Sequence, residues 1–324
     1  MNPVDMWVMG VSAAESTNSM TPAAAKVPAH ISICVCTYKR PSLLKHLLTE
    51  LSKQETGGLF TYSIVVADND EARSAEATIA EMRPACAVPI MYCVEPRRNI
   101  ALARNKVMDY AAGEYVALID DDEFPTPSWL LTLFKNCDQY QVDGVLGPVK
   151  RHFDEVPPSW FQKSKIYDRR VNRTGKLVDW REARTGNVLL KRQVFAGEEP
   201  PFRPEFRAGE DQDFFRRKTE EGRVFIWSAD AVVFETIPPA RWKRRYILRK
   251  ALLQGATAAL QPDCGVLSVV KSLIAVPLYL AILPFTFLCG QQYFMTLMVK
   301  ICDHSGKLLM LIGVNPVREE YVSE

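Results

Sequence analysis

Between residues 31 and 119, four short apolar runs alternate with three helix-forming stretches, and no other feature constrains the fold as strongly. The runs Ile31–Cys36, Tyr62–Ala67, Ile90–Val94 and Val116–Ile119 are rich in β-branched and other apolar residues, as buried strands are. After the first run, Pro41 suits the opening turn of a helix, and Leu43, Leu44, Leu47, Leu48 and Leu51 recur at helical spacing. A polar helix is predicted over 72–82 and another over Ile100–Ala111, stopped by Gly113. Strand and helix alternating through short connections give an α/β fold: a Rossmann-like, mainly parallel sheet flanked by helices.

Each predicted strand runs into polar residues: Thr37, Tyr38 and Arg40; Asp68; Asn99 and then Arg104; and Asp120, Asp121, Asp122 and Glu123. Ligands of open α/β sheets bind at that carboxyl edge. In an extended chain Asp120 and Asp122 point the same way, and two like charges on one face call for a cation between them. Oxygen donors suit Mg²⁺ or Mn²⁺, which in turn hold phosphate oxygens. The competing reading of the acids is a solvated turn, with Asp121 and Glu123 as its caps. No G-x-G-x-x-G or G-x-x-x-x-G-K-[ST] loop accompanies them, so Leu118-Ile119-Asp120 is not part of a P-loop ATPase.

Downstream, a helix is predicted from Pro127 through Phe134, a strand over Gly144–Val149, an irregular region over 150–180, and a strand over Thr185–Leu190. Gly209-Glu210-Asp211-Gln212-Asp213 then opens a helix. Acids there compensate the helix dipole whether or not they do chemistry. Strands are predicted at Val224–Trp227 and Val232–Glu235.

A formal charge of +2 gives no argument for nucleic acid as a partner. Eight scattered cysteines without a C-x-x-C pair argue against zinc sites and a disulfide framework. Residues 1–29 read as a flexible tail without a secretory signal. The basic and aromatic run 241–250 suits a phosphate-gripping or interfacial helix. Ser272–Cys289 carries no charge but contains Pro277 and Pro284, and Tyr293–Gly313 is amphipathic. As a pair they predict a membrane anchor, a buried hairpin being the alternative; the preceding basic cluster places the near side in the cytoplasm. The domain organisation expected is a tail (1–29), an α/β domain (30–262) and a C-terminal membrane-associated helical segment (263–324).

Six segments in this order resemble family 2 glycosyltransferases of the GT-A fold: Ile31–Pro41, Ile64–Asp70, Asn99–Asn105, Leu118–Pro125, Thr185-Gly-Asn187 and Gly209–Phe214. Within that family the chain is most similar to bacterial exopolysaccharide transferases of the succinoglycan ExoM type. The resemblance spans about residues 30–260. It implies inverting, metal-dependent transfer of a single hexose from a nucleotide-diphosphate sugar, a UDP-hexose first, to a lipid-linked saccharide in polysaccharide biosynthesis. The location implied is the bacterial inner membrane, with the catalytic domain in the cytoplasm and membrane lipids as partners. Thr37, Tyr38, Arg40, Asp68, Asn99, Arg104, Asp120 and Asp121 would bind the nucleotide sugar. Asp122 and Asp120 would hold Mg²⁺ or Mn²⁺. Asp211, with Glu210, would be the catalytic acid pair, Asp211 as general base. Asn187 and Trp180 fall on the acceptor side. Processive members carry Q-x-x-R-W, and Arg241-Trp242-Lys243-Arg244-Arg245 is not that sequence. The alternatives are a non-catalytic nucleotide-sugar-binding protein at a membrane and a sugar nucleotidyltransferase.

Overall fold

The computed structural model describes residues 28–197, 199–206, 209–259, 264–314 and 316. Residues 1–27 of the expected tail, the expected 262/263 boundary and most of the C-terminal tail lie outside the described residues. The first half follows the predicted alternation: β1 (Ala29–Thr37), α1 (Pro41–Leu51), β2 (Phe60–Asp68), α2 (Glu76–Met82), β3 (Ile90–Val94), α3 (Ile100–Tyr110) and β4 (Tyr115–Ile119). Pro41 sits in the first turn of α1, and Leu44, Leu47, Leu48 and Leu51 form its buried stripe.

The chain continues through β5 (Glu123–Pro125), α4 (Trp129–Tyr140), β6 (Gly144–Leu146), β7 (Val149–His152), α5 (Ser159–Lys163) and β8 (Asn187–Lys191). Then come α6 (Glu210–Glu220), β9 (Phe225–Trp227), β10 (Val233–Thr236), a 3₁₀ turn at Pro239–Trp242, α7 (Arg244–Ala259), α8 (Val266–Cys289) and α9 (Gln291–Leu311). The large sheet has the order β3-β2-β1-β4-β8-β6-β9. It is parallel except at β8, which runs antiparallel to both neighbours. A smaller sheet has the order β5-β10-β7.

The strand predicted at 144–149 is two strands on two sheets. At Gly147 a Cβ would overlap the carbonyl oxygen of Ala231, and Pro148 has no N–H to continue a ladder. The small sheet matters because β5 begins at Glu123, directly after the acidic run, and pairs antiparallel with β10 so that Glu123 faces Glu235.

One face of the large sheet packs on α1, α2 and α4, with Leu44, Ile79 and Trp129 fully or nearly fully buried. The other packs on α3 and α6 through Val107, Phe214 and Phe215. A third core of Phe161, Ile237, Trp242 and Ile247, with Val299 packed against it, joins α5, the 3₁₀ turn, α7 and α9.

Candidate active site

The acidic run leaves β4 as a turn, not as extended chain, so the alternation expected of it fails. Asp121 and Asp122 both reach Arg40: Nη1 lies 2.9 Å from Asp121 Oδ1 and 3.3 Å from Asp122 Oδ2. Thr37, at the end of β1, donates its hydroxyl to Asp121 Oδ2 at 2.8 Å. The parallel pairing of β1 with β4 sets these two strand ends side by side. Burial raises the Asp121 carboxyl above its usual range, even against Arg40. Burial also opposes ionisation of Asp122, but Arg241 and Arg40 outweigh it and hold that carboxyl low.

Asp120 turns the other way. Its side chain is 44% exposed, the most open of the run, and its Oδ1 lies 3.5 Å from Arg104 Nη2. From its place on α3, Arg104 also donates to Glu210 at the start of α6. The chain Asp120–Arg104–Glu210 thereby ties β4 to the helix that bears Asp211. Burial, and the charges of Asp122 and Asp211, raise the Asp120 carboxyl while Arg104 lowers it. Asp211 itself is 15% exposed, 4.0 Å from Arg184 Nε. Gly209 precedes the helix at φ +83°, a conformation that turns the chain sharply into its first turn.

Beside Asp120 lies Gly186. A Cβ there would sit 2.7 Å from Glu123 Oε1 and 3.0 Å from Asp120 Oδ2, so only glycine leaves these oxygens open. Glu123 is 2% exposed. Its Oε1 lacks a hydrogen-bond partner. Burial, then Asp120, push its carboxyl well above the ordinary range. No group of three or more His, Cys, Asp or Glu is arranged around a metal among the described residues. Two oxygen donors in a loop, completed by substrate phosphates, suit Mg²⁺ or Mn²⁺, and Asp120 with its open Oδ2 fits that pattern. Asp122 fits it less directly, since its Oδ2 is already 2.7 Å from Arg241 Nη2.

Below the run, Arg241 bridges Asp122 and Glu235, the latter at 3.0 Å, and Arg169 takes the other Glu235 oxygen at 3.0 Å. A cleft of ≈ 420 Å³ opens here, lined among others by Arg169, Arg184, Glu235, Lys250 and Val299. Lys250 stands 4.8 Å above the Tyr167 ring. Burial lowers its pKa, and Arg241 and Arg169 add to that while Glu235 opposes it.

The sequence profile of glycosyl transferase family 2 matches residues 32–196. The succinoglycan biosynthesis protein ExoM of Rhizobium meliloti (strain 1021) is 32% identical over 237 residues, covering 70% of this chain and 74% of that protein. The chain belongs to glycosyl transferase family 2. Chondroitin synthase of Escherichia coli is 24% identical over 245 residues, 65% of this chain but 35% of that protein. Among solved structures, the mannosyltransferase PcManGT from Pyrobaculum calidifontis, in complex with GDP-Man and Mn²⁺, superposes with a TM-score of 0.58 at 17% identity, covering 88% of each chain. TarS of S. aureus in complex with UDP gives 0.53 at 14% identity, covering 88% of this chain and 92% of that one. The fold is therefore GT-A and the protein is a glycosyltransferase.

Several residues expected to line the glycosyltransferase site do other work. Asp68 is fully buried. Its oxygens accept from the Asp70 and Ala75 amides at 3.1 and 2.7 Å and from Tyr92 Oη at 3.1 Å, so it braces the loop after β2 and presents no acceptor to a base. Asn99 caps α3 through the Ala101 and Leu102 amides and donates to Pro204 O at 2.8 Å. Glu210 is 5% exposed and committed to Arg104, a positioning residue instead of a second catalytic acid. Asn187 is 2% exposed. It accepts from Trp129 Nε1 at 2.8 Å and donates to Pro148 O and Ala231 O, pinning the junction of the two sheets at the wall of the cleft. Trp180 is partly buried, with Arg181 4.3 Å over its ring. Tyr38 stays at the rim with Arg98 4.7 Å above its ring.

Arg241, which the sequence offered only as part of the basic run 241–250, is joined here by Glu235 and Arg169, which it did not single out. One signal for the first was present. Pro238 stands where Q-x-x-R-W has Gln, but Arg241-Trp242 keeps the R-W pair. Trp242 is buried in the aromatic core and donates to Ile237 O at 3.1 Å, which seats Arg241 under Asp122.

Proposed function

We propose that this glycosyltransferase moves a single hexose, with inversion, from a nucleotide-diphosphate sugar to a lipid-linked saccharide in polysaccharide biosynthesis. The observation that supports this reading is the Asp120–Arg104–Glu210 connection, which ties a strand-end carboxylate to the helix bearing Asp211, near enough for the Asp211 charge to act on Asp120. Tyr38 and Arg40 receive the nucleotide, with the Tyr38 ring as a stacking face and buried Thr37 bracing Asp121 beneath them. Asp120, through its open Oδ2, and Asp122 would hold Mg²⁺ or Mn²⁺ together with the diphosphate. When bound, the cation neutralises charge on the departing diphosphate. Asp211 takes the proton of the acceptor hydroxyl. The hydroxyl oxygen forms its bond to the anomeric carbon from the face opposite the diphosphate, and the carbon–oxygen bond to the diphosphate breaks. Arg104 holds Asp120 and Glu210 in place, so that little reorganises as charge moves.

The cleft bearing Arg169, Arg184 and Lys250 is the acceptor side. Its cations suit the phosphates of a lipid-linked saccharide. Among the described residues one helix, Val266–Cys289, is long and apolar enough to cross a membrane. Together with the polysaccharide-biosynthesis name of its relative, this supports association with the bacterial inner membrane, catalytic domain to the cytoplasm. A UDP-hexose is the first donor to test.

Donor screening with UDP- and GDP-hexoses, with and without Mn²⁺, followed by NMR of the anomeric product, tests the scheme. Asp211→Asn is expected to lose about 10²–10⁴-fold in transfer, the range of general-base catalysis, while still binding UDP. Transfer at the wild-type rate by that variant would remove Asp211 as the base. A retained anomeric configuration would overturn direct displacement.

A further inference from the structure

Helices α7, α9 and α8 form one layer with α9 in the middle. Glycines set the spacing of α7 and α9: a Cβ at Gly255 would overlap the Asp303 carbonyl, and one at Gly306 would overlap that of Leu252. Near the start of both helices, Arg244 Nη2 donates to Gln291 Oε1 at 2.9 Å. The two helices therefore run in the same direction, side by side. α8 returns antiparallel along the other flank of α9, through Ser268 with Lys307 Nζ at 2.9 Å, Ser272 with His304 Nδ1 at 2.9 Å, and the Phe287 and Phe294 rings at 5.6 Å.

By length alone α8 could span a bilayer: 24 residues at about 1.5 Å each exceed a core of about 30 Å. Its surroundings forbid this. The turn at Cys289–Gln291 lies against the catalytic domain, where Arg244 meets Gln291 and stacks 5.5 Å over Trp160 of α5. The opposite end of the hairpin adjoins the C-terminal half of α7 through Gly255 and Gly306. One end thus sits on the domain and the other on α7, with the whole of α8 one helix away from α7. Spanning would draw α7, with Arg245, Arg249 and Lys250, into hydrocarbon, where charged side chains are strongly disfavoured.

We propose that α8 lies flat in one leaflet and that the hairpin docks this glycosyltransferase on the membrane without crossing it. The proposal rests on the membrane reading given above and supplies its geometry. The outward face of α8 presents Leu267, Ile274, Leu278, Ile282, Phe285 and Leu288, all exposed. With the other exposed positions these cover more than half of the helix circumference at 3.6 residues per turn, more than one partner helix or groove takes up. Exposed Lys300 of α9 lies beside the apolar face, 5.9 Å over the Tyr279 ring, and exposed Lys271, near the start of α8, has the reach to snorkel to anionic headgroups. α9 then lies about 10 Å above α8, at headgroup depth. The basic cleft, walled by Ile247 and Lys250 of α7 and Val299 of α9, opens beside those headgroups.

Cys289, exposed at the turn, is a native reporter. A membrane-impermeant maleimide is applied to right-side-out and inside-out vesicles bearing the full chain, with Cys289→Ser as the blank and protease digestion marking the face that carries the catalytic domain. Labelling of Cys289 and of Cys264, at the two ends of α8, from the catalytic face only, with the chain floating with the vesicles, is the expected result. Labelling from the opposite face means that α8 spans and overturns the docking geometry while leaving membrane association intact. Failure to float overturns both. A Leu278→Asp/Phe285→Asp pair is expected to abolish flotation and leave UDP binding unchanged. If the unaltered chain instead stays in solution as a dimer that this pair dissociates, the face is an interface between copies and the proposal is wrong.

Discussion

Replacing Arg241 by methionine tests how the site is held together. Its guanidinium bridges Asp122 at 2.7 Å and Glu235 at 3.0 Å, and the two carboxylate side chains are 11% and 10% exposed. Removing one member of a buried pair costs roughly 3–5 kcal/mol, because the survivor is left charged and unpaired. Here each survivor keeps one arginine: Asp122 has Arg40 at 3.3 Å, and Glu235 has Arg169 at 3.0 Å. About half the full cost, ~2 kcal/mol, is therefore expected. For a domain of this size that lowers Tm by about 4–8 °C. Lysine at 241 restores charge but not the two-pronged fork, so Arg241→Lys should fall between the two. Adding Asp122→Asn to Arg241→Met should recover part of the loss, because the unpaired charge goes with it. Scanning calorimetry on these four proteins and on Asp122→Asn alone measures all of these. A Tm for Arg241→Met within a degree of the unaltered protein would refute the bridge. Equal and additive losses in the double variant would show that Arg241 and Asp122 do not interact.

Asn187→Leu removes the partner of Trp129 Nε1 and of two carbonyls in a buried junction and should cost about 3 kcal/mol, read by chemical denaturation; a loss of transfer without loss of stability would return Asn187 to the acceptor side. Gly186→Ala places a methyl against Asp120 Oδ2 and Glu123 Oε1 and should weaken Mn²⁺ binding in the presence of UDP, measured by electron paramagnetic resonance, while Asn136→Ala, on the far side of α4, should not. Burial raises the Cys93 and Cys137 thiols to about 11, so both stay protonated at pH 8. Mass spectrometry should find them unmodified by iodoacetamide in the native protein and modified in urea, with exposed Cys289 reacting first.

How much of this was legible in the sequence follows from what each feature depends on. The first four strands and their helices rest on local apolar periodicity, and they appear within a few residues of where that periodicity puts them. The Asp120–Glu123 run was recognisable as a strand-end cluster for the same reason. The break at Gly147-Pro148 was less visible, since the apolar run Gly144–Val149 continues across it and only the approach of Ala231 forces the chain from one sheet to the other. Residue type alone could not separate Asp211 from Glu210, nor Asp120 from Asp68. In each pair the second carboxylate is turned inward by donors that arrive from other elements, Arg104 for Glu210 and the Ala75 amide and Tyr92 for Asp68.

The sequence by itself determined the family, the parallel half of the sheet and the apolar C-terminal hairpin, because ordered motifs and periodicity are local properties. Only the tertiary structure decided which acids face the cleft and which arginines hold them. It also decided that α8 lies along the domain rather than away from it. These depend on pairings such as Asp122 with Arg241 and Gln291 with Arg244, whose partners lie 119 and 47 residues apart in the chain. Each is set by packing, of Trp242 in an aromatic core and of Gly255 against Asp303, that no local pattern records.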